Sequence, residues 1–355
     1  MKRYTKIVFE AENGIIFDGS EGTSGELIIK AMIASNNVCS ELPTVSAGEY
    51  AEGLSVYTDK DGNKAVVPQG WTVSGIPKEN IIWGKDKGLV IYHIPKKEVR
   101  GINWQNQDEV EALMRTYDQF VWTPVGLLTA NGTLNGIYFN EKFGRMNYEN
   151  DYENYDFSEF EYHEPLVGEL LLQKESVNKN DGYYISRYNI SKDKKTGRPR
   201  SVKGTYPWTN INFTTAKEVA GTMVENENIK SHLTFGAEYD TLVKWMIETG
   251  TVTTKEVTED STELGNYYHS RKNAGRIVET GKDGCLNNVY GLAGNVCEWT
   301  QEQWNSSERV VRGGYFDKFS SYSLPVNYRW SKYPDSEEDE IGFRGVLYIK
   351  LYGQL

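Results

Sequence analysis

The chain has 355 residues, a 25% charged and 38% hydrophobic composition, and a net charge of −11. That length exceeds the usual domain size of roughly 150 residues and predicts two or three globular domains rather than a disordered chain. The acidic balance of 39 Lys+Arg against 50 Asp+Glu argues against nucleic-acid binding, which needs a basic face for phosphates.

No stretch approaches the roughly 20 apolar residues that cross a bilayer, so no membrane insertion is expected. The N-terminal Met1–Glu10 carries only Ile7-Val8-Phe9 as an apolar run, too short for a signal core, and reads as a first strand. Three cysteines (Cys39, Cys285, Cys297) fit neither a disulfide framework nor a zinc pattern. Four histidines (His93, His163, His232, His269) are scattered, without an i, i+4 pair. The 24 tyrosines and 9 tryptophans stand out, because amphipathic rings favour recognition surfaces and also half-buried β cores.

In chain order, strands are expected at Lys6–Glu10, Leu27–Ala34 and Leu54–Thr58, with turns at Asp18-Gly19, Glu21-Gly22 and Asp61-Gly62. The last turn, between Ser55-Val56-Tyr57 and Ala65-Val66-Val67, predicts a hairpin. Trp71–Val73, Ile81–Trp83 and Leu89–Tyr92 predict further short strands. Val110, Leu113 and Met114 recur at helical spacing within Asn106–Thr116. Gln119–Val125 reads as an apolar strand. Glu149–Glu164 is acidic and aromatic, read as a solvated loop with a metal-binding loop as the alternative. Tyr183–Tyr188 is a strand, and the basic Lys192–Lys203 a hairpin tip. Two helices follow, Thr214–Val224 behind a threonine cap and Phe235–Glu248 stopped at Gly250. Helical periodicity then almost disappears, and most of 250–345 is expected to be loops and short strands.

Residues 289–299 read Val-Tyr-Gly-Leu-Ala-Gly-Asn-Val-Cys-Glu-Trp, followed by Arg309-Val310-Val311-Arg312-Gly313-Gly314 and Ile341-Gly342-Phe343-Arg344. This ordered set resembles the formylglycine-generating-enzyme (sulfatase-modifying factor) domain, a variant of the C-type lectin fold. Tyr184–Tyr188 and Pro207-Trp208-Thr209-Asn210-Ile211 fit the same series. The resemblance implies an α+β fold: small N-terminal β modules, then a lectin-like domain with two helices, a small antiparallel sheet and long irregular loops. Boundaries are expected at 1–65, 66–116 and 117–355. Gly313 and Gly314 suit positive φ or close backbone approach. Arg312 and Arg344 suit buried charge-assisted bonds to carboxylates or carbonyls. Trp299 suits the core.

Oxidases of the family hold copper with a cysteine pair between Gly-Gly and Gly-Phe-Arg. Here Tyr315–Glu340 has no cysteine, Ser323 and Tyr328 fall near those places, and Cys297 stands where the signature has tryptophan. The iron site of the sulfoxide-synthase branch finds no histidine cluster. A non-enzyme is therefore expected, with a metal-dependent oxidase as the alternative. The family's calcium loop would use the Gly294 and Val296 carbonyls and Glu298, but an Asp or Asn ligand is replaced by Gly291. Glu298 bonded to loop amides is the other reading.

The segment between the arginine motifs is rich in rings and short polar side chains, the composition of a paratope. Tyr315, Phe316, Asp317, Phe319, Tyr322, Asn327, Tyr328, Trp330 and Tyr333 are the candidate ligand-binding residues, with core packing as the alternative. A narrower resemblance rests on Val66–Trp71, Gly88–Ile91, Asp118–Val125 and Tyr184–Tyr188. It points to a phage and prophage protein group of gut bacteria, some of whose members are variable proteins of diversity-generating retroelements. It implies a virion protein, in the tail or on the particle surface, that binds a bacterial surface protein or glycan. It also implies a homo-oligomer, joined to other virion proteins by its N-terminal module. A bacterial surface or prophage-host cytoplasmic location, and a purely structural decoration, are the alternatives.

Overall fold

The computed structural model describes residues 15–21, 27–33, 42–125, 133–134, 137–138, 168–268, 270, 275–317 and 324–350. The expected strand at 6–10, the acidic stretch 149–164, Phe319 and Tyr322 lie outside these residues. Contacts divide the chain into residues 1–41 and 42–355. In the first unit, β1 (Ile15–Glu21) pairs antiparallel with β2 (Leu27–Ile33), from Ile15 opposite Ile33 to Glu21 opposite Leu27. β2 is an expected strand. Asp18-Gly19, expected as a turn, lies inside β1, where seven residues of continuous pairing outweigh a local turn signal.

The second unit opens with the hairpin of β3 (Ser55–Thr58) and β4 (Lys64–Val67). Buried Asp59 holds its turn, accepting the Asp61 and Asn63 amides at 2.9 Å each. Next come β5 (Thr72–Val73), β6 (Val90–Tyr92), the short α1 (Lys96–Val99) and α2 (Gln107–Thr116). The Asn106 side chain caps α2 by accepting from the Asp108 and Glu109 amides. Ile81–Trp83, expected as a strand, is not one; Ile82 N–H instead donates to Asp59 at 2.9 Å.

β7 (Gln119–Pro124) is buried throughout. The ribbon of β8 (Thr133–Leu134) and β9 (Ile137–Tyr138) follows, and then α3 (Gly168–Asn180), a helix the sequence reading does not contain. β10 (Gly182–Ser186) leads to the basic hairpin of β11 (Ser191–Lys192) and β12 (Pro199–Arg200). α4 (Phe213–Gly221) starts at Asn212, not at a threonine: the Asn212 side chain accepts from Thr215 N–H at 2.9 Å. β13 (Ile229–Leu233) precedes α5 (Gly236–Glu248), which is buried on nearly every face and ends before Gly250 at φ +71°.

The remaining elements are α6 (Thr254–Thr258), β14 (Cys285–Leu286), β15 (Val289–Tyr290), β16 (Cys297–Gln303), β17 (Arg309–Arg312), β18 (Arg329–Lys332), β19 (Ile341–Phe343) and β20 (Gly345–Ile349). Two sheets organise the unit. The larger is antiparallel throughout, in the order β13-β20-β10-β7-β6-β5. The smaller, β18-β17-β16-β19, has one parallel pair, β16 with β19. The architecture is α+β, with a larger sheet than expected and a second, mixed one.

The break in contacts after Glu41 differs from the expected boundaries after 65 and 116. β5 and β6 belong to the sheet that also holds β10 and β20. Tyr184 donates its hydroxyl to the Val66 carbonyl at 2.9 Å, and Arg187 pairs with Glu79 at 2.6 Å, both side chains at most 1% exposed. A buried ion pair is stable only with both partners in place, so the stretch containing Glu79 folds with the lectin-like part. Among the described residues no helix is long and apolar enough to cross a membrane.

Candidate functional site

The signature stretch 289–299 runs from β15 through a tight loop into β16. Trp299 is fully buried, its indole N–H donating to the Ile211 carbonyl at 2.9 Å and its ring edge-on to Phe213. Cys297 is buried too; its amide and thiol both donate to the Glu340 carbonyl, and burial pushes the thiol well up. That is the behaviour of a small packed hydrophobe rather than a nucleophile.

The two arginines take the anchoring role expected of them. Arg344, fully buried, donates Nε to Glu298 at 2.7 Å, Nη1 to the Ser186 carbonyl at 3.0 Å and Nη2 to the Tyr290 carbonyl. It thereby ties β10, β15 and β16 together. Arg312 bonds Asp240 of α5 and lies over the Tyr239 ring, 4.8 Å from its centroid. Glu302 receives Arg329. After Arg312 the chain turns at Gly313 with φ +77°, while a Cβ on Gly314 would meet the Leu324 carbonyl at 2.3 Å. One glycine supplies the conformation and the other the close approach.

Between these anchors the candidate residues separate. Tyr315 is buried, at 7% exposure, and belongs to the core with Trp299 and Phe343. That burial matches the core-packing alternative for this residue. Its ring stacks on Trp330 at 6.1 Å and 12° between planes. Phe316, Asn327, Tyr328 and Trp330 are half-buried, and Asp317 and Tyr333 are exposed, Tyr333 to 61%.

β18 is an edge strand whose side chains alternate. Trp330 lies against Tyr315, and Lys332 sits 3.8 Å from the Trp330 centroid. Arg329 and Ser331 instead reach Glu302 and Glu308. Trp304, 41% exposed with Arg329 over its ring, was missed in the sequence because it lies outside the aromatic segment. Beside this face, burial and the neighbouring Asp339 and Glu338 carboxylates push Glu340 up to about 7.

The residues present do not fit a thiolate-held copper, since Tyr315–Glu340 contains no cysteine. Calcium is a different case. Of the expected set, only Glu298 contributes a side chain. Its Oε1 is taken by Arg344 Nε and by Asn189 Nδ2 at 2.8 Å, while Oε2 has no partner in the protein. Gly291 brings no side-chain oxygen, but a Cβ there would stand 2.4 Å from both Asn189 Oδ1 and Asp283 Oδ2. With those two oxygens the donor set is all-oxygen and fits a hard cation.

Residues 106–349 match the family model of the sulfatase-modifying factor enzyme 1-like domain. The chain belongs to that family. The family's fold is of the C-type lectin-like type, and the α+β architecture agrees with it. Among solved structures, PvdO from Pseudomonas aeruginosa is 16% identical over 48% of this chain and 82% of its own, with a TM-score of 0.36. Variable protein 1 of Treponema denticola is 15% identical over 47% and 84%, with a TM-score of 0.31. CarF is 16% identical over 51% and 81%, with a TM-score of 0.28. No curated protein matches the chain.

Proposed function

We propose that this family member is a non-catalytic recognition protein of a phage particle, binding a bacterial surface protein or glycan through the segment between Gly314 and Ile341. The observation that carries the reading is the graded exposure of that segment. A buried Tyr315 supports a half-buried Trp330 and an exposed Tyr333, between motifs anchored by Arg312 and Arg344. Rings held on a rigid base contribute contact area at low entropic cost. The lack of cysteine in Tyr315–Glu340 and the bonded, buried Cys297 thiol support the absence of oxidase chemistry. The separate strand pair of residues 1–41 is the candidate attachment module toward other virion proteins, in a homo-oligomer.

The test is binding of purified protein to intact host cells and to arrayed surface glycans. Tyr333→Ala is expected to weaken binding about tenfold or more, while stability moves by less than about 0.5 kcal/mol. Unchanged binding places the receptor site elsewhere, and Cu(I)-dependent oxidation of a sulfatase-type cysteine peptide overturns the non-catalytic reading.

A further inference from the structure

A cleft of about 450 Å³ lies where parts of the stretch 76–114 meet Arg187, Lys203 and Tyr290. Small-molecule sites usually measure roughly 300–1,000 Å³. Ile76, Lys78, Glu79, Trp104 and Gln105 precede the family match, which begins at residue 106, so this cleft is not a feature of the family domain alone. Its buried lining is already in place. Arg187 and Glu79, both at most 1% exposed, pair at 2.6 Å. The Ser74 and Tyr92 hydroxyls donate to the other Glu79 oxygen at 2.9 Å each. Arg187 Nη1 donates to Tyr92 and Gln119 at 3.1 Å, while its Nε has no partner in the protein. The guanidinium also lies over the Tyr290 ring, 5.5 Å from its centroid.

The aromatic wall is fixed as well. Trp104 lies against Gly75, where a Cβ would come within 2.3 Å of the indole, and it meets the Tyr92 ring edge-on at 5.5 Å. The charges of the lining are unequal, with Lys78, Arg187 and Lys203 against Glu79 and Glu111. Both carboxylates are engaged: Glu79 by Arg187, and Glu111 by Lys203 and by Arg115 at 2.8 Å. Lys78 is exposed and has no ion pair among the described residues. An unpaired ammonium therefore stands at a cleft whose own carboxylates are satisfied, in a chain of net charge −11.

We propose that this cleft binds a sugar acid, a pyranose ring carrying one carboxylate, with Trp104 against the ring and Lys78 on the carboxylate. One unpaired ammonium calls for one negative charge, and a charge-assisted bond to it is the strongest contact available. An amino acid fits less well, because its ammonium group finds no carboxylate that is not already bonded. Gln105 and Gln107 line the same cleft, and each amide offers both a donor and an acceptor to hydroxyl groups. A wholly apolar ligand would cover those amides without satisfying them, at a cost in free energy. The indole of Trp104 supplies a flat apolar surface for the C–H face of a sugar ring. The site lies outside the segment proposed above for recognition. It would give the chain a second contact with an acidic glycan, and two linked contacts raise avidity without strengthening either one.

The test uses the full chain and free monosaccharides: galacturonate, glucuronate and N-acetylneuraminate, with galactose as the neutral control. Titration followed by saturation-transfer NMR should show at least one sugar acid binding with a dissociation constant of about 1 mM, and galactose at least about tenfold weaker. Lys78→Gln changes an exposed side chain and should leave the melting temperature where it is. It should weaken the acid at least about fivefold and leave galactose unaffected. Trp104→Ala should weaken both sugars; should that variant fail to fold, the Lys78→Gln comparison decides alone. Tyr333→Ala, which tests the recognition segment, should leave sugar-acid binding unchanged, so the two proposals fail separately. Absence of binding by all of these acids, galactose binding as tightly as the acids, or unchanged acid binding in Lys78→Gln each overturns the proposal.

Discussion

The signature region 291–314 and the segment 315–333 lie next to each other in sequence and are built on opposite terms. In the first, Glu298 and Arg312 are buried and each is paired with a buried partner from elsewhere in the chain, Glu298 with Arg344 and Arg312 with Asp240. In the second, aromatic side chains pass from buried Tyr315 through half-buried Trp330 to exposed Tyr333. A buried ion pair tolerates no single change, because removing one partner leaves the other uncompensated. A graded aromatic surface tolerates change at its outer end and resists it at its inner end. The contrast separates what must stay constant in this fold from what is free to vary.

The sharpest way to break that comparison is Arg344→Met. It leaves the buried Glu298 without its charge partner, and a loss of about 3–5 kcal/mol is expected in urea unfolding. A loss below about 1 kcal/mol would show that the anchor is not structural.

Trp330→Ala tests the intermediate zone. Losing the Tyr315 stacking and part of the ring's burial should cost about 2 kcal/mol of stability, alongside any loss of binding. If stability is unchanged, Trp330 belongs with the exposed residues and the gradient is steeper than its geometry indicates.

The smallest effect concerns Glu340, at the rim. Its folded value of about 7 lies above the ordinary 4.5, so the folded state binds more protons between those values. Stability should therefore fall as pH rises from about 4.5 through about 7, and the slope should flatten in Glu340→Gln. An unchanged slope in that variant would assign the titration to another group.

Local signals were legible where one element satisfies itself. The 55–67 hairpin carries its Asp-Gly turn, and α2 carries its Asn106 cap and apolar spacing. α3 was not legible, because the side it buries is Leu170, Gln173, Ser176, Val177 and Asn180, mostly polar. Gln173 is buried there because its amide donates to Glu238 at 2.6 Å, 65 residues away, which no local pattern reveals. The pairing of Glu79 with Arg187, across 108 residues, was hidden for the same reason, and with it the extent of the larger sheet. At the candidate site the two arginine anchors could be read from the motif. The burial of Tyr315 and the convergence of Asp283 on Gly291 could not, since both depend on which loops the smaller sheet brings together.

The parallel pair of the smaller sheet, Cys297–Trp299 beside Ile341–Phe343, has a consequence for the length of the protein. Parallel neighbours cannot be joined by a tight turn, so the chain must make a long excursion between them. The anchored ends of that excursion are fixed by β16 and β19, whatever number of residues lies between. Loop-closure entropy grows only logarithmically, about 0.6 kcal/mol for each doubling. Lengthening a connection between β16 and β19 outside β17 and β18 should therefore cost little folding energy, and it would change the reach of the proposed recognition segment without disturbing the pairing.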